Sequence, residues 1–342
     1  MLWKKTLQLA DVHCEGEIGK VITSAVLDIP GETMLDKMNY INTVDDSLRR
    51  WVMMEPRGCL QQSVNLLLPP CNPQADAGFI VLQADKAHAM SGSNCICVTT
   101  ALLELGILPM TEPTTRVILD TPAGLVTAVA ECRNGRCERV TLDNVPSFVH
   151  ALDVNVETPD FGVIKADIAF GGVFYGLVDV RQVGLSIAPE VAYDLAETGV
   201  RLQKLMNRQF SVKHPEMPNL DGIAYVMFRQ EVEPGVWQTC TTLPPGRVDR
   251  SPCGTGSSAN MATLHARGRL QTGDKLISRS TIGGEFQLEM RGETEIGGKP
   301  AVLPRISGRA WLYGIQQLGI DPRDPMIDGF MLSDTWGKGF VG

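Results

Sequence analysis

The chain carries one local pattern twice, in MSGSNCICVTTALLELG at residues 90–106 and in SPCGTGSSANMATLHARGRL at residues 251–270. Each stretch places a small nucleophilic side chain, Ser91 or Cys253, in a Gly-rich turn just before an apolar run that predicts a helix. A helix begins with unpaired backbone N–H groups and a partial positive charge, so its start can bind a carboxylate and lower the pKa of a nearby thiol. Two such helix ends facing each other would hold a small amino acid between a hydroxyl and a thiol.

The composition indicates a globular protein without a nucleic-acid partner. A length of 342 residues suggests two domains, and a hydrophobic content of 44% is sufficient for a sizeable core. The formal net charge of −8 and the lack of any Lys/Arg block argue against nucleic-acid binding. Because no stretch has the length of a membrane span or the pattern of a secretion signal, we expect a cytoplasmic protein.

The nine cysteines predict free thiols rather than a disulfide scaffold. An odd number of cysteines, scattered through a mid-sized chain, is typical of a reducing compartment. Cys132 and Cys137 flank an Asn-Gly turn signal, so we expect them in a hairpin. Cys95 and Cys97 fall in the first predicted helix with diverging side chains, and neither pair has further ligands at a spacing that suits zinc. We therefore expect no metal.

The order of the predicted elements indicates an α+β protein built from two similar units. Short strands dominate, without the regular alternation of a doubly wound sheet. Ser91 and Cys253 lie about half a chain length apart, which suggests a duplication. We predict a curved, mostly antiparallel sheet around a buried helix in each unit, with the active site between the units. The first unit spans 1–150 and is completed by 315–342, and the second spans 151–314.

Two further helices are predicted from the spacing of apolar residues. One is PGETMLDKMNYINTVDDSLRRWVMM at residues 30–54, which opens with Pro-Gly. The other is PEVAYDLAETGVRLQKLMNRQF at residues 189–210, which has the clearest amphipathic pattern in the chain.

The segment DRSPCGTG at residues 249–256 resembles the second active-site motif of the proline racemase family. The stretches DVHCEGE at 11–17, FGGVF at 170–174 and GRAWLYGIQQLGIDPRDP at 308–325 are also similar to members of this family, so the resemblance covers essentially the whole chain. It implies the duplicated α+β fold that the family shares with diaminopimelate epimerase. It also implies catalysis without a cofactor.

The resemblance further implies the residues of the active site. Ser91 and Cys253 take the two catalytic positions, although racemases of the family have Cys-Gly-His where this chain has Ser-Gly-Ser. In the family, the residues that follow each catalytic position contribute to a cradle for the substrate carboxylate, and an acid lies at the ring nitrogen. The implied substrate-binding residues are Gly92, Ser93, Asp249, Gly254 and Thr255.

The pairing of a serine with a cysteine favours dehydration over racemisation. Racemisation needs a base on one face of Cα and an acid on the other, and a serine hydroxyl is a far weaker acid than a thiol. In trans-3-hydroxy-L-proline the leaving hydroxyl and the Cα proton share one ring face, so one group could serve both. We therefore predict a hydro-lyase that forms Δ1-pyrroline-2-carboxylate. The alternatives are a 4-hydroxyproline 2-epimerase and a non-catalytic binder of proline analogues.

Several roles stay open in the sequence. Acidity favours Cys253 as the group that takes the Cα proton, whereas the pattern of other dehydratases in the family favours Ser91. His13 and His88 are candidates for an assisting group, although each is also explained as an ordinary core or surface histidine. The expected partner is a small molecule, hydroxyproline, with no nucleic acid and no membrane. The oligomeric state is left open, with a homodimer among the alternatives.

Overall fold

The structure is a computed structural model that describes residues 6–24, 28–217 and 220–336. The strands are β1 (Thr6–Cys14), β2 (Glu17–Ile22), β3 (Gln62–Leu68), β4 (Ala77–Leu82), β5 (Ala87–His88), β6 (Thr114–Thr121), β7 (Gly124–Arg133), β8 (Arg136–Asp143), β9 (Ser147–Thr158), β10 (Gly162–Phe170), β11 (Phe174–Asp179), β12 (Ile223–Glu233), β13 (Val236–Leu243), β14 (Arg247–Val248), β15 (Lys275–Arg279), β16 (Glu285–Ile296), β17 (Lys299–Gly308) and β18 (Ala310–Gly319). The α-helices are α1 (Met34–Thr43), α2 (Ser47–Met53), α3 (Gly92–Glu104), α4 (Ala192–Gln209), α5 (Gly254–Ala266) and α6 (Ser333–Trp336).

The chain folds into two compact units. Unit 1 comprises Met1–Leu142 and Gly308–Gly342, and unit 2 comprises Asp143–Ser307. The bounds expected from the sequence, 150 and 314, fall inside β9 and β18. Each of these strands is paired along its length, β9 with β10 and β18 with β1, so it stays with its pairing partner in one unit.

Both units have the same strand order, which confirms the predicted α+β duplication. In unit 1 the antiparallel pairs are β18–β1, β1–β2, β3–β4, β6–β7 and β7–β8, and the parallel pairs are β2–β3 and β4–β6. Unit 2 repeats this order with β9–β10, β10–β11, β12–β13, β15–β16 and β16–β17 as the antiparallel pairs, and with β11–β12 and β13–β15 as the parallel pairs. In unit 2, β17 also pairs with β9, so the sheet returns to its first strand.

The parallel pairs explain where the helices lie. Parallel neighbours cannot be joined by a tight turn, so each needs a crossover connection. The first crossover holds α1 and α2 in unit 1 and α4 in unit 2. The second crossover holds α3 in unit 1 and α5 in unit 2. Ser91 and Cys253 therefore stand at corresponding points, each at the start of the second crossover helix of its unit.

The two second-crossover helices are the buried central helices that the sequence predicts. In α3 every residue from Gly92 to Leu103 is buried, and the helix packs against β1, β2 and β18. In α5 every residue from Gly256 to Leu264 is buried, and the helix packs against β9, β10 and β11. Burial on all sides matches sequences that lack a charged face over these spans. The start of each helix is thereby held firmly by a sheet.

The stretch 30–54 forms two helices rather than the single helix predicted. Thr33 and Asp36 form a capping box, so α1 begins after the Pro-Gly turn rather than within it. The Asp45 carboxylate accepts a hydrogen bond from the Ser47 N–H at 3.0 Å, at the point where α2 begins. A carboxylate beside a helix start stabilises the exposed N–H groups, which favours a second helix here.

The hairpin prediction is confirmed. Cys132 and Cys137 lie opposite each other where β7 turns into β8, and all nine cysteines are free thiols. Across the described ranges, none of the helices combines the length and apolar character that a membrane crossing requires.

Candidate active site

Ser91 is the N-cap residue of α3, but its side chain does not cap the helix. Its backbone is extended, with φ −153° and ψ 125°. The hydroxyl oxygen instead accepts a hydrogen bond from Asn94 Nδ2 at 2.9 Å and lies 3.2 Å from Ser93 Oγ. A serine that served only to cap its helix would accept a backbone N–H of the first turn. The Ser91 hydroxyl is therefore held by side chains and is not used by the helix backbone.

Two buried amides lie behind this hydroxyl. Asn65 Nδ2, on β3, donates to Asn94 Oδ1 at 2.9 Å, and Asn94 in turn donates to Ser91. Gly19 on β2 leaves room for the pair, because a Cβ there would lie 2.7 Å from Asn94 Oδ1. Sequence reasoning missed both asparagines. The one signal for Asn94 was its position three residues after Ser91, on the same face of the helix.

Cys253 is the N-cap residue of α5, and its backbone lies in the left-handed region with φ 62° and ψ 99°. A non-glycine residue in this region carries strain of about 1–3 kcal/mol, which persists only where the surroundings impose it. Here the Ser251 hydroxyl accepts the Cys253 N–H at 3.1 Å. Strain of this kind is concentrated at functional sites, which supports the assignment of Cys253 as more than a small core residue.

Asp249 shapes the loop that presents the thiol. Its Oδ1 accepts the Ser251 N–H at 2.8 Å and the Ser251 hydroxyl at 2.9 Å. Because Ser251 also accepts from Cys253, the carboxylate is linked to Cys253 through one residue. The role at the ring nitrogen that the family resemblance implies for Asp249 stays a prediction.

Tyr175 belongs to this site, and sequence reasoning missed it. Its Oη lies 3.3 Å from Cys253 Sγ and 2.7 Å from Thr255 Oγ1. The residue lies at the second position of β11, directly after the FGGVF stretch at 170–174. Its position beside a recognised motif was the available signal, but only the packing of β11 under α5 brings the phenol to the thiol.

The electrostatics of Cys253 differ from the expectation. Burial, and after it the charge of Asp249, raise the pKa of the thiol to about 11 against the hydrogen bonds from Thr241 and Tyr175. The helix start was expected to lower this pKa. That expectation is wrong for the substrate-free protein, because removing the thiolate from water costs more than the helix end returns. The thiol needs an additional stabilising group to ionise near neutral pH.

The four predicted cradle residues lie in the first turns of the two central helices. Gly92, Ser93 and Gly254 are buried, and Thr255 is half-buried. The first N–H groups of a helix have no partner within it, so these positions offer donors to an anion. Gly171 allows the start of α5 to approach the strand beneath it, since a Cβ there would lie 2.0 Å from the Thr255 carbonyl oxygen.

The two candidate histidines are engaged with other groups of unit 1. His88 Nε2 lies 2.9 Å from Asp85 Oδ1. The His13 ring stacks on Trp311, with 5.1 Å between ring centroids. We therefore assign neither histidine a role at Ser91. In the part of the chain that the structure describes, no group of three or more His, Cys, Asp or Glu residues could hold a metal ion.

These features define an α+β protein with a duplicated fold, in which each central helix begins at a nucleophilic side chain. The model of the proline racemase family matches residues 9–331, and the chain belongs to this family of enzymes. The fold is of the diaminopimelate epimerase type. A phenazine biosynthesis protein of the PhzF family from Bacillus anthracis shares this fold at 13% identity, with a TM-score of 0.55 over 92% of this chain and 100% of that chain.

Two close relatives correct the predicted reaction. The 4-hydroxyproline 2-epimerase 1 of Rhizobium rhizogenes is 56% identical over 98% of both chains. The crystal structure of a hydroxyproline epimerase from Agrobacterium vitis, with bound trans-4-OH-L-proline, is 55% identical and has a TM-score of 0.93 over 99% of both chains. The predicted dehydration of trans-3-hydroxy-L-proline, and with it the hydro-lyase class, is wrong. The prediction rested on the weak acidity of a serine hydroxyl and considered His13 and His88 as assisting groups, whereas it is Asn94 that donates a hydrogen bond to the Ser91 oxygen.

Proposed function

We propose that this chain is a 4-hydroxyproline 2-epimerase, which inverts Cα of trans-4-hydroxy-L-proline. The observation that carries the proposal is the identity of 55–56% to hydroxyproline epimerases over nearly the full length of each chain. Epimerisation removes a proton from one face of Cα and returns a proton to the other, so it needs two proton-transfer groups. We assign these roles to Ser91 and Cys253.

The two groups exchange roles with the direction of the reaction. In one direction the Cys253 thiolate takes the Cα proton and the Ser91 hydroxyl supplies one, and in the other direction Ser91 takes the proton. A serine oxygen that has lost its proton needs a hydrogen-bond donor, and Asn94 Nδ2 supplies one at 2.9 Å. This donor offsets part of the weakness of serine as an acid.

Substrate binding also supports ionisation of the thiol. We assign the N–H groups of Gly92, Ser93, Gly254 and Thr255 to the substrate carboxylate. We place Asp249 at the ring nitrogen, as in the family. The positive charge of the bound amino acid favours a nearby thiolate, so it lowers the pKa of Cys253 from the value of about 11 in the substrate-free protein.

The test is parallel incubation in D2O with trans-4-hydroxy-L-proline, trans-3-hydroxy-L-proline and L-proline, followed by NMR. We expect deuterium at Cα and the second diastereomer from trans-4-hydroxy-L-proline. Loss of water from the 3-hydroxy compound as the fastest reaction, seen as an imine that reacts with o-aminobenzaldehyde, would contradict the proposal. Binding without exchange of the Cα proton would show a non-catalytic binder. Ser91→Ala and Cys253→Ala check the assignments, since a variant that keeps its activity removes that residue from the chemistry.

A further inference from the structure

The hydroxyl of Tyr175 has two partners and one proton to give. Its Oη lies 2.7 Å from Thr255 Oγ1 and 3.3 Å from Cys253 Sγ. A phenol hydroxyl and a threonine hydroxyl each donate a single hydrogen bond, and each can also accept one. The distance from Thr255 Oγ1 to Cys253 Sγ is longer, at 3.9 Å. Tyr175 is therefore the link between the two side chains, and it can donate to only one of them at a time.

We propose that Tyr175 is a positioning residue that reverses its hydrogen bond with the protonation state of Cys253. While the thiol carries its proton, Tyr175 donates to Thr255. Once the thiolate forms, Tyr175 donates to Sγ, and the Thr255 hydroxyl donates to Tyr175 Oη. No proton passes between the three residues, because the proton of Cys253 is exchanged only with the substrate. The inference rests on the proposed function in assigning proton transfer to Cys253.

The packing around Tyr175 suits such a switch. The side chain is 1% exposed, so water does not replace either partner. The Tyr225 ring on β12 packs against the Tyr175 ring, with 5.7 Å between the ring centroids. Gly256 in α5 leaves the approach open, since a Cβ there would lie 3.1 Å from Tyr175 Cε1 and 3.3 Å from Cys253 Sγ. A hydrogen bond in such a dry environment has a larger effect on the charged form of its partner than one in water.

Among the charged and titratable groups around the thiol, Tyr175 is one that stabilises the thiolate. Asp249, on the preceding loop, raises the pKa of Cys253, as burial does. Tyr175 on β11 contacts the thiol, and Tyr225 on β12 packs against the same apolar cluster. Burial raises the pKa of Tyr175 well above its ordinary value, so its hydroxyl keeps its proton while the thiol ionises. It can then stabilise the thiolate as a neutral donor.

The first test removes only the hydroxyl. Tyr175→Phe keeps the buried ring, and the rate of Cys253 alkylation by iodoacetamide is followed against pH without substrate, by mass spectrometry of the peptide that contains Cys253. We expect the midpoint to rise by about one pH unit, with alkylation roughly tenfold slower below it. Tyr193→Phe, which removes a hydroxyl from an exposed position of α4, is the matched control and should leave the profile unchanged. An unchanged midpoint in Tyr175→Phe overturns the inference.

The second test asks whether Thr255 acts through Tyr175. Thr255→Val removes the hydroxyl and keeps the branched shape, and Thr255→Ser restores a hydroxyl. We expect Thr255→Val to move the alkylation midpoint in the wild-type background and not in the Tyr175→Phe background, and Thr255→Ser to restore it. An equal shift in both backgrounds would mean that Thr255 acts on the thiol directly, which would also overturn the switch. A merely structural role of Tyr175 would lower the melting temperature without this background dependence.

The two proposals fail separately. The alkylation profile needs no substrate, so it reports on Tyr175 even if trans-4-hydroxy-L-proline is not turned over. If the epimerase assignment holds as well, Tyr175→Phe should lower kcat by roughly tenfold and leave KM nearly unchanged, because the lost hydrogen bond acts on the thiolate. A rise in KM alone would place Tyr175 in binding and would overturn its role at Cys253.

Discussion

The starts of α3 and α5 occupy corresponding places in the two units, yet they present their nucleophilic side chains in different ways. Ser91 has an ordinary extended backbone, with φ −153°, and its hydroxyl is held by side-chain amides. Cys253 has a strained backbone, with φ 62°, that is held by the loop from Asp249. The duplicated fold therefore sets the position of each nucleophilic side chain, and the local sequence sets its orientation.

The supporting donors differ in the same way. An amide, Asn94, reaches the serine from the same helix, and a phenol, Tyr175, reaches the thiol from a strand. An amide NH2 is always a hydrogen-bond donor, whereas the tyrosine hydroxyl can rotate its single proton toward Thr255 instead. The hydrogen bond to Ser91 is thus constant, whereas the proposed hydrogen bond to Cys253 depends on its protonation state. This difference suits a pair of groups with very different acidities.

The far ends of the two helices also differ. At the end of α5, Arg267 pairs with Asp167, which is buried and also binds Arg229. At the end of α3, the Glu104 carboxylate accepts the backbone N–H of Cys137 at 3.1 Å. In unit 2 a largely buried ion cluster therefore joins the end of the central helix to β10 and β12.

The largest effect is expected when the Cys253 thiol is removed. Cys253→Ala should lower kcat of the proposed epimerase by about a thousandfold, because no general base remains on that side. Steady-state kinetics with trans-4-hydroxy-L-proline measure the loss, and the melting temperature should stay within a few degrees of the wild type. Cys71→Ala, at a half-buried cysteine of unit 1, is the control. If both variants retain similar activity, Cys253 has no role in proton transfer.

The next effect concerns the ion cluster. Asp167→Asn should lower the free energy of unfolding by about 3–5 kcal/mol at neutral pH, because it leaves the buried Arg229 guanidinium without the carboxylate that pairs with it. Asp143→Asn is the control, since its pair with Arg305 is exposed and should contribute less than about 1 kcal/mol. Denaturant titration of both variants gives the two values, and equal losses would refute the special role of the buried cluster.

The same cluster predicts a pH dependence. Burial alone would raise the pKa of Asp167, but the hydrogen bonds from Arg267 and the charge of Arg229 outweigh it and hold the pKa below its ordinary value. The stability from this group is therefore present above the unfolded-state pKa of about 4 and is lost as pH falls through the folded-state value. The difference between wild type and Asp167→Asn should shrink over that acidic range. A difference that grows on acidification would show the opposite sign of coupling.

A smaller effect compares the glycines beneath the two helix starts. Gly171→Ala should destabilise the protein by about 2–3 kcal/mol, because its Cβ would lie 2.0 Å from the Thr255 carbonyl oxygen, which is backbone. Gly19→Ala should cost about 1–2 kcal/mol, because its nearest contact is the Asn94 side chain, which can shift. Gly292→Ala, with its nearest atom at 3.6 Å, is the control. Thermal unfolding ranks the three, and a reversed order would show that α5 yields more easily than α3.

The smallest effect is expected when Ser91 loses the hydrogen bond from Asn94. Asn94→Ala should lower kcat roughly tenfold with little change in KM, because one partly buried hydrogen bond to the Ser91 oxygen is lost. Asn39→Ala, on the exposed side of α1, should have no effect on kinetics. Full activity of the Asn94 variant would mean that proton transfer at Ser91 does not need the hydrogen bond from Asn94.

Local signals were sufficient for much of the fold. The central helices, the hairpin at Asn134-Gly135 and the duplicated α+β order follow from patterns a few residues long, which act through local backbone geometry. The division of 30–54 into two helices did not follow, since apolar spacing continues across the break at Asp45 and only the hydrogen bond to Ser47 marks it. The predicted dehydration failed for a related reason, because acidity was judged from residue type alone.

The positions of Ser91 and Cys253 could be found from the neighbouring residues, because each stands in a Gly-rich turn whose pattern is local. The chemical surroundings of the two side chains follow from the packing of distant segments. Asn65 and Tyr175 come from strands separated along the chain from the groups that they support. The pKa of a thiol depends on the water that packing removes and on the donors that packing brings, and neither quantity is written in the neighbouring residues. This is why a helix start that was expected to lower the pKa of Cys253 instead lies in a site where burial raises it to about 11.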